Sequence, residues 1–289
     1  MLTAVPAEFS FRDIQGAMMK KTLLATAFVA SAAVPGVVLA QDSPHTLTAN
    51  VGLFSQYIFR GIAQTGGDPA VQGGFDYGHT PTGFYAGTWA SNISWLQDFK
   101  AYEQSSIEWD FYGGIKRNFG SSDFFYDVGT LYYWYPGNKI AGWSANTWEM
   151  YLALGWKWLG VKASYSLKDY FGARPNANQD PTDGTIYWDL FANYPVGETG
   201  ITLSAHYGIL DVKNDGDKDL GTKVSYNDWR LGASYVIPTS VLKGLEVGAF
   251  YTDNDVKAGA AGLSFYNDLT TRQYNTAKSA FVAYVKKTF

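Results

Sequence analysis

The sequence predicts an all-β protein, a transmembrane antiparallel up-and-down β-barrel of about twelve strands. Three observations carry that expectation. Past residue 45 the apolar side chains recur with a period of two. The connections between the alternating stretches are short and long in turn. The chain also opens with an export leader, yet nothing after it approaches the roughly 20 apolar residues that a membrane helix needs. An exported chain of this kind either stays in the periplasm or enters the outer membrane as a closed barrel, which satisfies every backbone polar group in lipid.

Composition excludes several classes of function. Of the 289 residues 17% are charged and 17% aromatic, whereas soluble domains typically carry roughly 25% charge. Cysteine is absent, which removes disulfides, thiolate nucleophiles and Cys-ligated metals. The net charge of −4, with no basic stripe, argues against a nucleic-acid partner.

The leader starts at Met19 and reads "MKKTLLATAFVASAAVPGVVLAQDS". Lys20 and Lys21 supply its positive start, Leu23 to Val34 its apolar run, and Val38, Leu39 and Ala40 a small-residue cleavage site. Residues 1–18 read as an over-extended N-terminus, 19–40 as a signal peptide and 41–289 as the barrel.

The strands follow in order at about 46–60, 70–78, 83–93, 104–118, 123–135, 146–158, 160–168, 185–194, 199–210, 224–236, 244–253 and 279–289. In the fifth, Phe124, Tyr126, Val128, Tyr132 and Trp134 fall on one face and Phe125, Asp127, Gly129 and Tyr133 on the other. In the sixth, Trp148, Met150, Leu152, Leu154, Trp156 and Trp158 make an almost wholly apolar face, with aromatics at both ends. A strand crossing hydrocarbon has that signature. Connections after the even strands are short: 79–82, 120–122, 159–160, 195–198 and 238–244. Those after odd strands, such as 169–184, 211–224 and 254–278, are longer and polar. Tight periplasmic turns and long extracellular loops explain the alternation, and an even strand number puts both ends of the barrel on the periplasmic side.

The last residues, "FVAYVKKTF", place Phe281, Ala283, Val285 and Phe289 on one face. The last strand of a closed barrel must pair with the first. The terminal Phe289 looks like the assembly signal that the barrel-assembly machinery recognises, although Lys287 interrupts the pattern.

If the apolar faces meet lipid, the opposite faces point inward. That phase assigns to the lumen Arg60, Asp76, Glu108, Asp110, Lys116, Asp127, Glu149, Lys157, Lys162, Asp189, His206, Asp228 and Arg230, together with Gln56, Lys168 and Glu246. A midplane Lys or Arg facing lipid would cost roughly 2–4 kcal/mol. Such a lumen is either a hydrated, charge-lined pore or one filled by mutually paired charges. Eight-stranded barrels fill and sixteen-stranded ones conduct, and twelve lies between. Within "FRG", Arg60 is either a constriction or gate residue or a rim arginine paired with a loop carboxylate.

Catalytic and metal-binding signals are weak. Ser204 and His206 share a strand face, but a nucleophile and base also need a third group to orient the base. The three histidines, His45, His79 and His206, show no ligand spacing. The acidic loop at 211–221 lacks the terminal bidentate Glu of a calcium loop.

The segments "SQYIFRGIAQT" (55–65), "DPAVQGGFDYGH" (68–79), "GFYAGTWASNI" (83–93), "EWDFYGGI" (108–115) and "YWYPG" (133–137) resemble the TorF-type family of proteobacterial porins. The resemblance covers most of the mature chain. It implies an outer-membrane, pore-forming barrel without a catalytic motif or cofactor. The expected function is therefore passive diffusion of small hydrophilic solutes or ions. The rivals are a non-conducting structural or adhesive barrel and a lipid-modifying enzyme.

Overall fold

The computed structural model describes residues 43–257, 266 and 274–289. The leader and the residues before it lie outside that range. Twelve antiparallel strands, each paired with its neighbours in the chain, close into one barrel. They are β1 (His45–Phe54), β2 (Ala70–His79), β3 (Phe84–Asn92), β4 (Ile107–Asn118), β5 (Phe124–Trp134) and β6 (Thr147–Trp156). The circuit continues through β7 (Leu159–Ser166), β8 (Ile186–Pro195), β9 (Ile201–Asp211), β10 (Tyr226–Val236), β11 (Leu245–Asn254) and β12 (Ala280–Thr288). Closure sets Asn50 of β1 opposite Thr288 of β12. Ala49 and Phe289 then exchange backbone hydrogen bonds at 3.1 and 2.8 Å. No edge is left open, so every strand finds its ladder within the sheet.

The period of two sorts the side chains. Along β6, Trp148, Met150, Leu152, Leu154 and Trp156 are exposed, while Tyr151 and Ala153 are buried inside. Some inward glycines sit where a neighbouring ring crosses the wall. A Cβ on Gly87 would lie 2.6 Å from the Tyr112 ring, and one on Gly129 2.6 Å from the Tyr151 hydroxyl. The tyrosines thus lie flat over bare backbone, and larger residues are excluded beneath them.

Two local readings of the sequence change. The first strand does not continue to residue 60. It ends at Phe54, and the chain turns inward to form a small hairpin, Ile58–Phe59 against Ile62–Ala63. Arg60 and Gly61 make its two-residue turn with φ of +46° and +76°. Positive φ at both central residues is the type I′ geometry that tight hairpins favour. Glycine accepts it freely, whereas an L-residue such as Arg60 gives up about 1–2 kcal/mol there. The second change is after β6, where Trp156 pairs with Leu159 and the turn is Lys157–Trp158 rather than 159–160.

The interior carries the core. Ile62 of the hairpin, Tyr170 and Ala173 of the loop after β7, and Tyr187, Leu210, Val212, Val224, Tyr226 and Tyr266 form one buried apolar cluster at the long-loop end. The hairpin spans this mouth. At one end Tyr57 donates to Glu108 on β4 at 2.7 Å. At its tip Gly61 lies so close to Asp228 on β10 that a Cβ would sit 2.6 Å from the Asp228 Cβ. Asn254 on β11 donates to the Gly61 carbonyl at 3.0 Å.

Candidate functional site: the charged barrel interior

The inward phase brings together charged residues far apart in the chain. Glu108 and Asp110 flank the exposed Trp109 on β4 and are themselves 1% and 2% exposed. Asp76 comes from β2, Lys116 from β4, Asp127 from β5, Glu149 from β6 and Lys162 from β7. Asp189, His206, Asp228 and Arg230 follow on β8, β9 and β10, and Glu246 and Lys286 on β11 and β12.

Around the wall the charge is uneven. Strands β2 to β6 contribute five of these acids, Asp76, Glu108, Asp110, Asp127 and Glu149, against one lysine, Lys116. Strands β7 to β12 interleave Asp189, Asp228 and Glu246 with Lys162, Arg230, Lys286 and His206. A transverse asymmetry of this kind orients polar solutes and counter-ions in a pore.

Arg60 answers the acidic half. Its guanidinium donates to Glu149 Oε2 at 2.8 Å, with both side chains almost wholly buried. It donates a second, longer hydrogen bond to the Tyr170 hydroxyl at 3.4 Å. Its cationic carbon lies 4.1 Å from the centre of the Tyr187 ring and 4.8 Å from that of Phe59. The partner is thus a wall carboxylate inside the barrel, not a loop carboxylate at the rim. Glu149 also accepts from the Tyr133 hydroxyl at 3.3 Å.

On the opposite half, His206 is held between two carboxylates. Nδ1 meets Asp189 Oδ1 at 2.6 Å and Nε2 meets Asp228 Oδ1 at 2.7 Å. The orienting groups absent from the sequence reading are therefore present, but both ring nitrogens are engaged by them. Ser204, two residues away, is not among the partners of His206.

Two expected positions differ. Lys157 is not in the lumen. It occupies the exposed β6–β7 turn, 3.5 Å from Asp123 and over the Trp156 ring, because the two-residue turn takes it out of the strand phase. Lys168 is exposed beyond the end of β7, its ammonium 5.9 Å from the centre of the Tyr132 ring.

The sequence reading put Tyr133 on the inward face but gave neither it nor the other interior tyrosines a role. Six interior acids accept from phenols: Asp76 from Tyr112 at 2.5 Å, Glu108 from Tyr57 and Tyr135 at 2.7 and 2.6 Å, and Asp127 from Tyr85 at 2.6 Å. Glu149 pairs with Tyr133, Asp228 with Tyr187 at 2.9 Å and Glu246 with Tyr284 at 2.8 Å. Tyr85 and Tyr151 also hydrogen-bond each other. The available signal was phase: Tyr112 shares the inward face with Asp110 and Lys116, whereas aromatic content alone suggested the lipid interface.

Among the described residues no group of three or more acidic, His or Cys side chains could hold a metal ion. In the acidic loop, Asp215 accepts from the backbone of Gly216, Val224 and Ser225, and Asp217 from that of Asp219. These carboxylates brace their own loop.

The outer surface defines the class. Trp109, Trp134, Trp148 and Trp188 are exposed toward the long-loop rim. Phe84, Phe124, Trp156 and Tyr194 are exposed toward the short-turn rim, with Val128, Leu152, Leu190 and Leu231 exposed between. An apolar band bounded by two aromatic girdles on a closed barrel is solvated by lipid, so this is a transmembrane β-barrel of the outer membrane, with its short turns facing the periplasm. Residues 39–289 match the model of a family described as "Bacterial protein of unknown function (Gcw_chp)", and the chain belongs to that family. The comparisons do not carry the TorF-type name.

Comparison with curated protein sequences finds no match. Among solved structures, the chain is similar to the KdgM porin, with 9% identity and a TM-score of 0.48 over 84% of this chain and 99% of that one. It is similar to the NanC porin at 11% identity and a TM-score of 0.48, over 83% and 98% of the two chains. It is also similar to Pseudomonas aeruginosa OprD at 14% identity and a TM-score of 0.39, over 84% and 66%.

Proposed function

We propose that the protein is a porin, a passive diffusion channel for small hydrophilic solutes or ions. The observation that carries this reading is the wall itself. Asp76, Asp110, Lys116, Asp127, Lys162, Asp189, Asp228 and Arg230, drawn from six strands, turn inward. A sealed apolar interior would be cheaper to build than one holding so many charges, because each buried ion gives up its hydration. Hydrogen bonds and pairing with His206 offset part of that cost for Asp127, Asp189 and Asp228, and water and passing ions would hydrate the partly exposed Asp76, Lys116, Lys162 and Arg230. Arg60, Glu108, Glu149 and His206 are the other proposed pore-lining residues, with Arg60 at the constriction. No energy source is required, since solutes would move down their gradients.

The inward hairpin and the aromatic cluster favour a second reading, a barrel whose lumen stays closed and whose outer loops carry the function. Single-channel conductance of the refolded mature protein in a planar bilayer separates the two. Discrete, reproducible steps are expected, and the reversal potential in a salt gradient should report cation preference, given the excess of acids on β2 to β6. A correctly folded barrel with no steps would overturn the channel reading.

A further inference from the structure

We infer that the place Arg60 occupies is a binding site for a solute bearing a guanidinium or primary ammonium group, which the hairpin fills with a tethered copy of such a cation. The inference rests on the diffusion-channel reading for its transport consequence, and names the solute class of that channel. Among the interior charges described above, Arg60 is delivered by a loop rather than by the wall, on a turn whose φ of +46° disfavours it. It enters a seat already built for a planar cation. Glu149 supplies the carboxylate at 2.8 Å, Tyr170 a hydroxyl acceptor at 3.4 Å, and the Tyr187 ring a face at 4.1 Å. Guanidinium groups are held in this way, by a carboxylate fork and aromatic stacking together.

The seat also holds more acceptor capacity than Arg60 uses. Oε1 of Glu149 is buried without a hydrogen-bond partner. A buried carboxylate is stabilised by a cation at hydrogen-bond distance. When Arg60 withdraws, a solute cation takes its place, and the unused Oε1 of Glu149 can accept a further donor from it.

Ethylguanidinium reproduces the part of Arg60 that Arg60→Ala removes, and it serves as the probe. It is titrated calorimetrically into the refolded full-length barrel in detergent micelles, for wild type, Arg60→Ala, Arg60→Gln and Arg60→Ala with Glu149→Gln. Heat-modifiable gel migration reports folding in each case. Both single variants are expected to bind about ten-fold or more tightly than wild type, the worth of a charged hydrogen bond, and Glu149→Gln should abolish the gain. Binding no tighter than wild type in the folded variants would overturn the seat. A test that needs no variant is chymotrypsin cleavage after Phe59, the hairpin residue next to Arg60, in the wild type. Millimolar ethylguanidinium should accelerate it saturably, and sodium at equal ionic strength should not; equal cleavage in both salts would count against the seat. In a bilayer, the same cation should block current through Arg60→Ala. Binding without conductance in any folded form would uphold the seat and remove the channel reading, whereas conductance without binding or block would do the reverse.

Discussion

The guanidinium of Arg60 and the carboxylate of Glu149, 89 residues apart in the chain, meet at 2.8 Å inside the barrel with their side chains 7% and 2% exposed. The pair ties the inward hairpin to the β6 wall. Removing one partner of a buried pair costs about 3–5 kcal/mol, because the other charge stays buried alone. In Glu149→Gln the hairpin is therefore expected to leave the lumen. Trypsin should then cut after Arg60 in the variant under conditions where the wild type resists, as read by fragment mass. Equal resistance would mean that the apolar cluster holds the hairpin without the ion pair.

His206 links Asp189 and Asp228 across β8, β9 and β10. In His206→Ala the two carboxylates lose the group between them, and the barrel should lose about 3 kcal/mol in urea unfolding from lipid vesicles. Ser204→Ala, which removes no partner of that histidine, should stay within about 0.5 kcal/mol. The same two variants test the hydrolase alternative. Lipid hydrolysis in the wild type that both substitutions abolish would support it.

The exposed band on β6 gives a depth-dependent expectation. Leu152 lies mid-strand and Trp156 at the periplasmic end. Leu152→Arg should destabilise the folded state in bilayers by roughly 2–4 kcal/mol, against about 0–1 kcal/mol for Trp156→Arg. Equal penalties would place the lipid band elsewhere.

Tyr170 lies in the loop that covers the hairpin. Burial pushes its phenol up to about 12, with the neighbouring Arg60 restraining the rise. An unfolded tyrosine titrates near 10. Since the folded value is the higher one, its stabilising contribution is complete below about pH 10 and is lost as the pH rises toward 12. The difference in tyrosinate absorbance between wild type and Tyr170→Phe should therefore titrate well above 10. A midpoint near 10 would mean that the loop is open in solution.

The sequence by itself determined the barrel, its strand number and which face of each strand meets lipid. These properties are local. A period of two is written within ten residues, and the alternation of "PVGE"-length turns with long loops fixes the direction of every strand. The same phase placed Asp76, Glu108, Asp127 and Glu149 inside. It failed where strand ends are set by pairing. Lys157 reads as part of a strand until the register of Trp156 with Leu159 puts it in a turn. Only the tertiary structure decided what fills the interior. "IFRGIA" alternates like a strand, and nothing local says that it folds back as a hairpin into the mouth. The union of Arg60 with Glu149, of His206 with Asp189 and Asp228, and of tyrosines with acids depends on closure of the whole sheet. Closure and register decide which wall positions face one another, and that relation exists in no single segment of the chain.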